Sequence, residues 1–354
     1  MKTYVSGRNN LALTVMMPYD CPNNCPFCTA KEEYKKNAPN AEKVARTLLR
    51  FFEQNKNLDV KEVVITGGEP MANIPLLQIL LHIIPKDKDI YINTTALKKN
   101  FDNFVRIVNN DRRIKGVNIS RHSTKYEYDC CMLHGIVEDN ELSKIKKNVR
   151  INAVVNDNNN DIDGLICRWC NQKVELSLRE DFTTMTAKDL HNPYTKRGME
   201  LASDFTLQYI GHTQCNVCDT TIFKYNHTGL VIRYHKGLQT TMLPLGDGKY
   251  EINDIIIRQD GEIFTDWSFN FSTALDWEGV GEKKKTPKMV ARMGCGTAVV
   301  PENHPKAVTY TCGGGAIGGC GGGVNYTPRL SCGGGGCGGY PYTTSCGGGC
   351  SSCG

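Results

Sequence analysis

Apolar positions fall into two rhythms along the first half of the chain. Short runs of buried-type residues occupy 11–17 (LALTVMM), 62–66 (EVVIT), 89–93 (DIYIN), 116–120 (GVNIS), 149–155 (VRINAVV) and 173–178 (KVELSL). These runs have the length and β-branched content of strands. Between them the apolar residues recur every three or four positions. In AEKVARTLLRFFEQN (41–55), Val44, Leu48, Leu49 and Phe52 share one helical face, and 74–84, 97–110 and 161–172 repeat the pattern, with a weaker helix over 138–147. Six strands, each followed by a helix, predict parallel pairing through right-handed crossovers. The expected fold is α/β, a partial (β/α)6 TIM-like barrel over 10–180. Functional residues then belong at the C-terminal ends of the strands.

Past 181 the rhythm changes. GLVIRYH (229–235) and YEINDIIIRQDGEIFTDW (250–267) have strand character, with Gln259-Asp260-Gly261 as a hairpin turn. We expect a small, mostly β C-terminal extension over 181–308, with a solvated linker at 281–290. A tail over 309–354 breaks the composition: from 312 onward, 43 residues hold 18 Gly, 7 Cys and one charged residue, Arg329. No apolar face is present there to offset chain entropy, so the tail alone is expected to be disordered.

Apolar content of 40%, charged content of 22% and a net charge of +5 with scattered Lys and Arg are those of a globular domain without a basic stripe. Nucleic acid is therefore not a favoured partner. No apolar run approaches the roughly 20 residues of a membrane helix, and MKTYVSGRNN lacks the apolar core of a signal peptide, so no membrane partner and a cytoplasmic location are expected. In that reducing compartment, 17 cysteines point to metal or redox chemistry rather than disulfides.

Three of those cysteines carry the chemistry. Cys21, Cys25 and Cys28 lie within eight residues directly behind the first strand, in YDCPNNCPFCTAKEEY. Three close thiols with no obvious fourth ligand imply a metal centre with one open position. A [4Fe–4S] cluster fits, its fourth iron left to chelate a small molecule. The bland alternative is a zinc knuckle completed by His82 or Cys215. Thirty-nine residues beyond Cys28, behind the second strand, comes VVITGGEPMAN. Gly67 and Gly68 let the backbone approach a ligand, and Glu69 sets a carboxylate beside them that can accept from an ammonium group. Alone, the Gly-Gly-Glu-Pro would be a tight turn; its position gives it weight.

Cys21-x3-Cys25-x2-Cys28, with Phe27 before the third Cys, and Gly67-Gly68-Glu69-Pro70 resemble the radical S-adenosylmethionine (radical SAM) superfamily. The resemblance covers roughly 10–180. It implies an enzyme whose [4Fe–4S] cluster binds S-adenosylmethionine (SAM) at the open iron and cleaves it to a 5′-deoxyadenosyl radical that abstracts hydrogen from a substrate. It further implies that the Gly-Gly-Glu-Pro segment holds the methionyl ammonium. Strand-end residues would contact the rest of SAM: Thr94 or Thr95, Ser120 and Asn152, with Arg179 as a carboxylate or substrate contact. A reductant such as flavodoxin or ferredoxin and a small-molecule or peptide substrate are the expected partners.

VRINAVVNDNNNDIDGL and VELSLRE look most like the subgroup with the molybdenum-cofactor GTP cyclase and the peptide maturases. That subgroup often carries an auxiliary cluster. Cys215-x2-Cys218 would start one here, but the next cysteine is Cys295, far beyond the cyclase interval, so GTP cyclisation is not assigned. A second Fe–S centre on Cys215, Cys218 and Cys295 stands beside plain thiols as an alternative. Cys167 and Cys170, one turn apart, and Cys130-Cys131 are expected to be buried core thiols. His122, beside Ser120, is a proton donor, a substrate contact or a satisfied loop histidine. Two other functions remain open: a maturase acting on a Cys/Gly-rich peptide, including its own tail, and a non-catalytic Fe–S or zinc scaffold.

Overall fold

The computed structural model describes residues 3–6, 11–18, 20–28, 30–31, 38–55, 58–156, 161–181, 206–214, 219–236, 242–252 and 254–264. Six strands, β2 (Leu11–Met17), β3 (Val60–Gly67), β4 (Asp89–Thr94), β5 (Ile114–Ser120), β6 (Asn148–Val155) and β7 (Glu175–Glu180), pair in chain order, every pair parallel. They match the six runs predicted from sequence and form the parallel wall of the expected α/β barrel.

Helices cross between the strands where the periodicity placed them. Helix α1 (Ala41–Gln54) starts at Asn40, whose side chain accepts from the Lys43 N–H at 2.9 Å, and buries Val44, Thr47, Leu48 and Phe51. Helix α2 (Ile74–Ile83) is capped by Asn73 and has Pro75 in its first turn, where the ring's missing N–H is harmless. Helix α3 (Phe101–Asn110) buries Phe101, Phe104 and Val108, and α5 (Ile162–Trp169), capped by Asp161, buries Leu165, Ile166 and Trp169. A short helix, α4 (Tyr126–Cys130), was not expected. The weak helix at 138–147 is a 3-10 segment, Asp139–Lys144.

Strand alternation then sorts the two faces. Leu13 and Val15, Val63 and Ile65, Ile90 and Ile92, Val117 and Ile119, Ile151 and Ala153, and Leu176 and Leu178 join the helices in one core. Their neighbours Thr66, Asn93, Asn118, Asn152, Ser177 and Arg179 face the opposite side and put polar groups on the concave face.

Five of the seven described C-terminal strands attach to this wall. β13 (Asp254–Ile257) pairs parallel with β2 and carries the antiparallel β14 (Ile263–Phe264), with the expected turn between them. β10 (Val231–Lys236) pairs parallel with β7 and is followed outward by β9 (Asp219–Tyr225) and β8 (Leu207–Gln214), giving eleven strands. Both open edges of the partial barrel are thereby covered, which removes unpaired backbone groups from its rims. A smaller sheet holds β1 (Thr3–Ser6), β12 (Lys249–Ile252) and β11 (Met242–Gly246). Among the described residues no helix is long and apolar enough to cross a membrane. Cys215, Cys218, Cys295, the linker at 281–290 and the tail at 309–354 lie outside the described residues.

Candidate active site

The cysteine loop leaves the C-terminal end of β2. Cys21, Cys25 and Cys28 are partly buried and free of disulfides. Burial pushes the Cys21 thiol up to about 11, with the Glu69 and Cys28 charges adding to it. Cys25 is pushed up to about 12, again by burial first and then by Cys28 and Cys21. Charge on Cys28 is thus felt at both other sulfurs, and without a cation Cys21 and Cys25 hold their protons. A metal centre at this spot would supply the missing positive charge and release those protons. Among the described residues no three His, Cys, Asp or Glu close around a point as a single ion requires. A cluster that takes each thiolate at a separate corner asks for less closure.

Asn23, between the first two cysteines, anchors the loop. It is 6% exposed, donates through Nδ2 to Thr95 Oγ1 at 3.2 Å and accepts at Oδ1 from the His134 N–H at 2.9 Å. The Asn24 N–H adds a bond to the Met132 carbonyl at 2.9 Å. Farther along, Phe27 meets the His122 ring edge-to-face at 4.7 Å. On the other flank Cys28 packs against a small apolar cluster of Met16, Ala30, Ile256 and Phe264, and Gln259 donates to the Ala30 carbonyl at 3.0 Å. The β13–β14 hairpin, more than two hundred residues away in sequence, thus supports the cysteine loop.

Beside this loop β3 ends in Gly67-Gly68. Gly67 has φ +121°, and a Cβ there would stand 2.3 Å from the Met17 carbonyl oxygen, so only glycine brings the end of β3 against the root of the loop. Gly68 donates to the same Met17 carbonyl at 3.3 Å. Glu69 is only 2% exposed, and both its oxygens are occupied. Oε1 accepts from the Met71 N–H at 3.0 Å and from the Thr94 hydroxyl. Oε2 accepts from the Thr95 N–H and Thr95 hydroxyl, each at 2.7 Å. Burial raises its pKa and these hydrogen bonds oppose the rise. Pro70, buried, opens the 3-10 turn Pro70–Asn73 that Glu69 caps. Because the Thr95 hydroxyl also accepts from Asn23, a hydrogen-bonded chain runs from the cysteine loop through Thr95 and Glu69 to the turn after β3.

Ser120 ends β5, and Asn152 stands opposite it on β6, followed by Ser177 on β7. Asn152 Oδ1 is buried with no hydrogen-bond partner, and so is Arg179 Nε. Phe27, Gly67, Gly68, Glu69, Thr94, Ser120 and Asn152 all lie on the strands or loops of this wall. Thr94 spends its hydroxyl inside the Glu69 network and also accepts from the Ala96 N–H at 3.0 Å.

A buried charge network underlies this end of the barrel, and the sequence did not reveal it. Arg121, fully buried, donates to the Thr95, Ser120 and Val137 carbonyls and pairs with Asp139. Arg168, on α5, bridges Asp129 at 2.6 Å and Asp139 at 2.8 Å. Asp129 in turn accepts from the N–H groups of His122 and Ser123. His122 is a satisfied histidine: its Nδ1 accepts from the Val154 N–H at 3.1 Å, and burial pushes its pKa down to about 4, so the ring is neutral. The expectation of buried core thiols fails at Cys131 and Cys167, which are exposed, while Cys130 and Cys170 are partly buried. The faces of α4 and α5 turned inward are taken by Asp129 and by Ile166 and Trp169.

Residues 15–150 match the profile of the radical SAM superfamily. No curated protein sequence matches the chain. Among solved structures, Streptococcus suis SuiB bound to S-adenosylmethionine is similar at 16% identity and a TM-score of 0.46, over 78% of this chain and 61% of SuiB. A second SuiB crystal structure gives 17% identity and a TM-score of 0.45, over 78% of this chain and 63% of SuiB. The chain thus spans less than two thirds of the SuiB length.

Proposed function

We propose, from the premise that residues 15–150 form a radical SAM superfamily domain, that this enzyme holds a [4Fe–4S] cluster on Cys21, Cys25 and Cys28 and binds SAM across the C-terminal ends of its strands. When bound, such a cluster supplies the electron that cleaves SAM to methionine and a 5′-deoxyadenosyl radical, which takes hydrogen from a substrate. The chain's own residues do the placing. The half-exposed backbone at Gly67 and Gly68 receives the methionyl ammonium. Glu69 braces that backbone from beneath, since its acceptor positions are already filled. Asn152, with an unpartnered Oδ1 on the concave face, accepts from a ribose hydroxyl, and Ser120, opposite it, adds a second polar contact. Thr94 acts through Glu69, Pro70 fixes the turn, and Phe27 holds the cysteine loop against His122.

One observation carries this reading. The loop that carries three reduced thiols behind β2 is hydrogen-bonded, through the Asn23 side chain and Thr95, to Glu69 of the Gly-Gly-Glu-Pro turn at the end of the adjacent β3. A metal-binding scaffold has no need to tie its ligand loop to a second ligand-binding turn. The test is iron and sulfide content, together with 5′-deoxyadenosine formation, on anaerobically reconstituted protein given SAM and dithionite. About four irons per chain on three Cys ligands, with deoxyadenosine formed, is the expected result. Zinc in place of iron, with no SAM cleavage, would overturn it. About eight irons would add the auxiliary centre on Cys215, Cys218 and Cys295.

A further inference from the structure

Four buried or half-buried guanidiniums of the barrel each meet a carboxylate: Arg121 pairs with Asp139, Arg168 with Asp129 and Asp139, and Arg150 and Arg233 with Glu175. Arg179 does not. It makes no hydrogen bond or ion pair among the described residues, and its Nε is buried without an acceptor. Its position is fixed by strand alternation. Leu176 and Leu178 of β7 enter the core, so Glu175, Ser177 and Arg179 line the concave face. Across that face Arg179 is in register with Val154 on β6 and His235 on β10. His235 offers no negative charge: its Nδ1 is 2.7 Å from the Thr220 hydroxyl, and burial, with Arg179 and Arg150 nearby, pushes its pKa down to about 3. Glu175 is already shared by two arginines. Burial, reinforced by Arg150, lowers the Arg179 pKa to about 10, and no acid among the described residues acts against the shift. Arg179 as a whole is half-buried, so its guanidinium is a cation with no counter-charge among the described residues, open to an anion that arrives with a ligand.

We propose that Arg179 forms an anion subsite on the β6–β7–β10 wall that takes a carboxylate group of the substrate. One uncompensated guanidinium is balanced by one monoanion, and its planar fork matches a carboxylate. The carboxylate is the substrate's because the cysteine loop leaves β2, five strands away along the wall from β7. The methionyl end of SAM belongs at that far edge, a placement that rests on the radical SAM reading above.

The experiment uses the full reconstituted chain with N-acetylglycine as a carboxylate probe and inorganic phosphate as its rival, with binding read by ligand-observed NMR. Arg179→Met is expected to lose at least tenfold in N-acetylglycine affinity, with Arg179→Lys losing less. Unchanged probe affinity in Arg179→Met, or no binding to the wild type, overturns the proposal. So does displacement of the probe by saturating SAM, which would make Arg179 a cofactor contact. Tighter Arg179-dependent binding of phosphate would overturn the carboxylate assignment. Absence of 5′-deoxyadenosine would strike the radical SAM reading alone, because probe binding is measured without turnover.

Discussion

Replacing Glu69 with alanine separates two roles that a carboxylate beside a glycine pair can play. As a free acceptor for the SAM ammonium, it would leave the fold intact when removed and weaken SAM binding by about 1.5–3 kcal/mol, roughly 10- to 150-fold. The structure points elsewhere. Glu69 is 2% exposed and accepts from two backbone N–H groups and two hydroxyls. Truncation strands the Met71 and Thr95 N–H groups in a buried site and opens a cavity. Leaving a buried N–H without its acceptor costs about 1–3 kcal/mol, hence about 2–6 kcal/mol for the two. For a domain of 150–250 residues each kcal/mol moves the melting temperature by about 2–4 °C, so Glu69→Ala should melt roughly 4–24 °C lower. Glu69→Gln keeps the volume but points an amide donor at other donors, and should fall between the two. Anaerobic thermal denaturation with and without SAM, paired with calorimetric SAM titration, reads both quantities. A melting temperature within a degree or two of wild type, combined with a large loss of SAM affinity, would refute the bracing role.

Asn23→Ala removes the link between the cysteine loop and Thr95 and leaves the His134 N–H unpaired, a cost of about 1–3 kcal/mol. Iron should leave this variant faster under chelation while the melting temperature falls only a few degrees; wild-type iron retention would contradict it. Asp139→Ala leaves the fully buried Arg121 without its acid and strips Arg168 of one partner, so a loss of about 3–5 kcal/mol is expected in urea unfolding. A midpoint close to wild type would show that the network carries little weight. Acid stability follows from His122, whose native pKa lies at about 4, below the ordinary 6.5. Between those values the unfolded chain binds more protons, so this contribution is present above pH 6.5 and is lost as pH falls toward 4. A shift of that size is worth about 3 kcal/mol. His235 adds in the same direction, so the urea midpoint should drop between pH 7 and pH 4, less steeply in His122→Phe; a flat profile would count against the neutral buried ring.

Local patterns carried the barrel because each strand and helix announces itself within its own residues. Val44 and Leu48 share the helix face read from sequence, although Phe51 completes it and Leu49 is exposed, and Leu13 and Val15 alternate along a strand. The thiol triad and Gly-Gly-Glu-Pro were legible for the same reason, being contiguous and sitting where strands end. What brings residues together across the fold left no such mark. Arg121, Asp129, Asp139 and Arg168 carry no local motif, and only α4, the 3-10 segment Asp139–Lys144 and the last turn of α5 bring them together. Glu69 was legible as a carboxylate at a ligand turn, but its orientation depends on Thr94 and Thr95 at the end of another strand. The hairpin at Gln259-Asp260-Gly261 was readable, whereas its docking on β2 was not, since edge pairing depends on which rim is left open.

That docking has a consequence for the cysteine loop. A loop of this kind lacks the regular hydrogen bonds of a strand or helix, so its sulfurs stay in place only through contacts from elsewhere. One flank is held by Asn23 and Phe27 against elements of the barrel. The other is held by the C-terminal hairpin: Ile256 and Phe264 pack with Met16, Ala30 and Cys28, and Gln259 bonds the Ala30 carbonyl. Phe264 is 2% exposed, with the Arg258 guanidinium 4.3 Å from its ring. Truncating a buried phenylalanine to alanine costs about 3–5 kcal/mol, and here the loss falls on the contact between hairpin and loop. Phe264→Ala should therefore lower iron content per chain and speed its loss to a chelator, although the residue ligates nothing and lies far from the cysteines in sequence. Phe264→Leu, which keeps most of the apolar volume, should restore much of the iron. Wild-type iron in Phe264→Ala, at a temperature where the chain stays folded, would show that the barrel alone holds the loop.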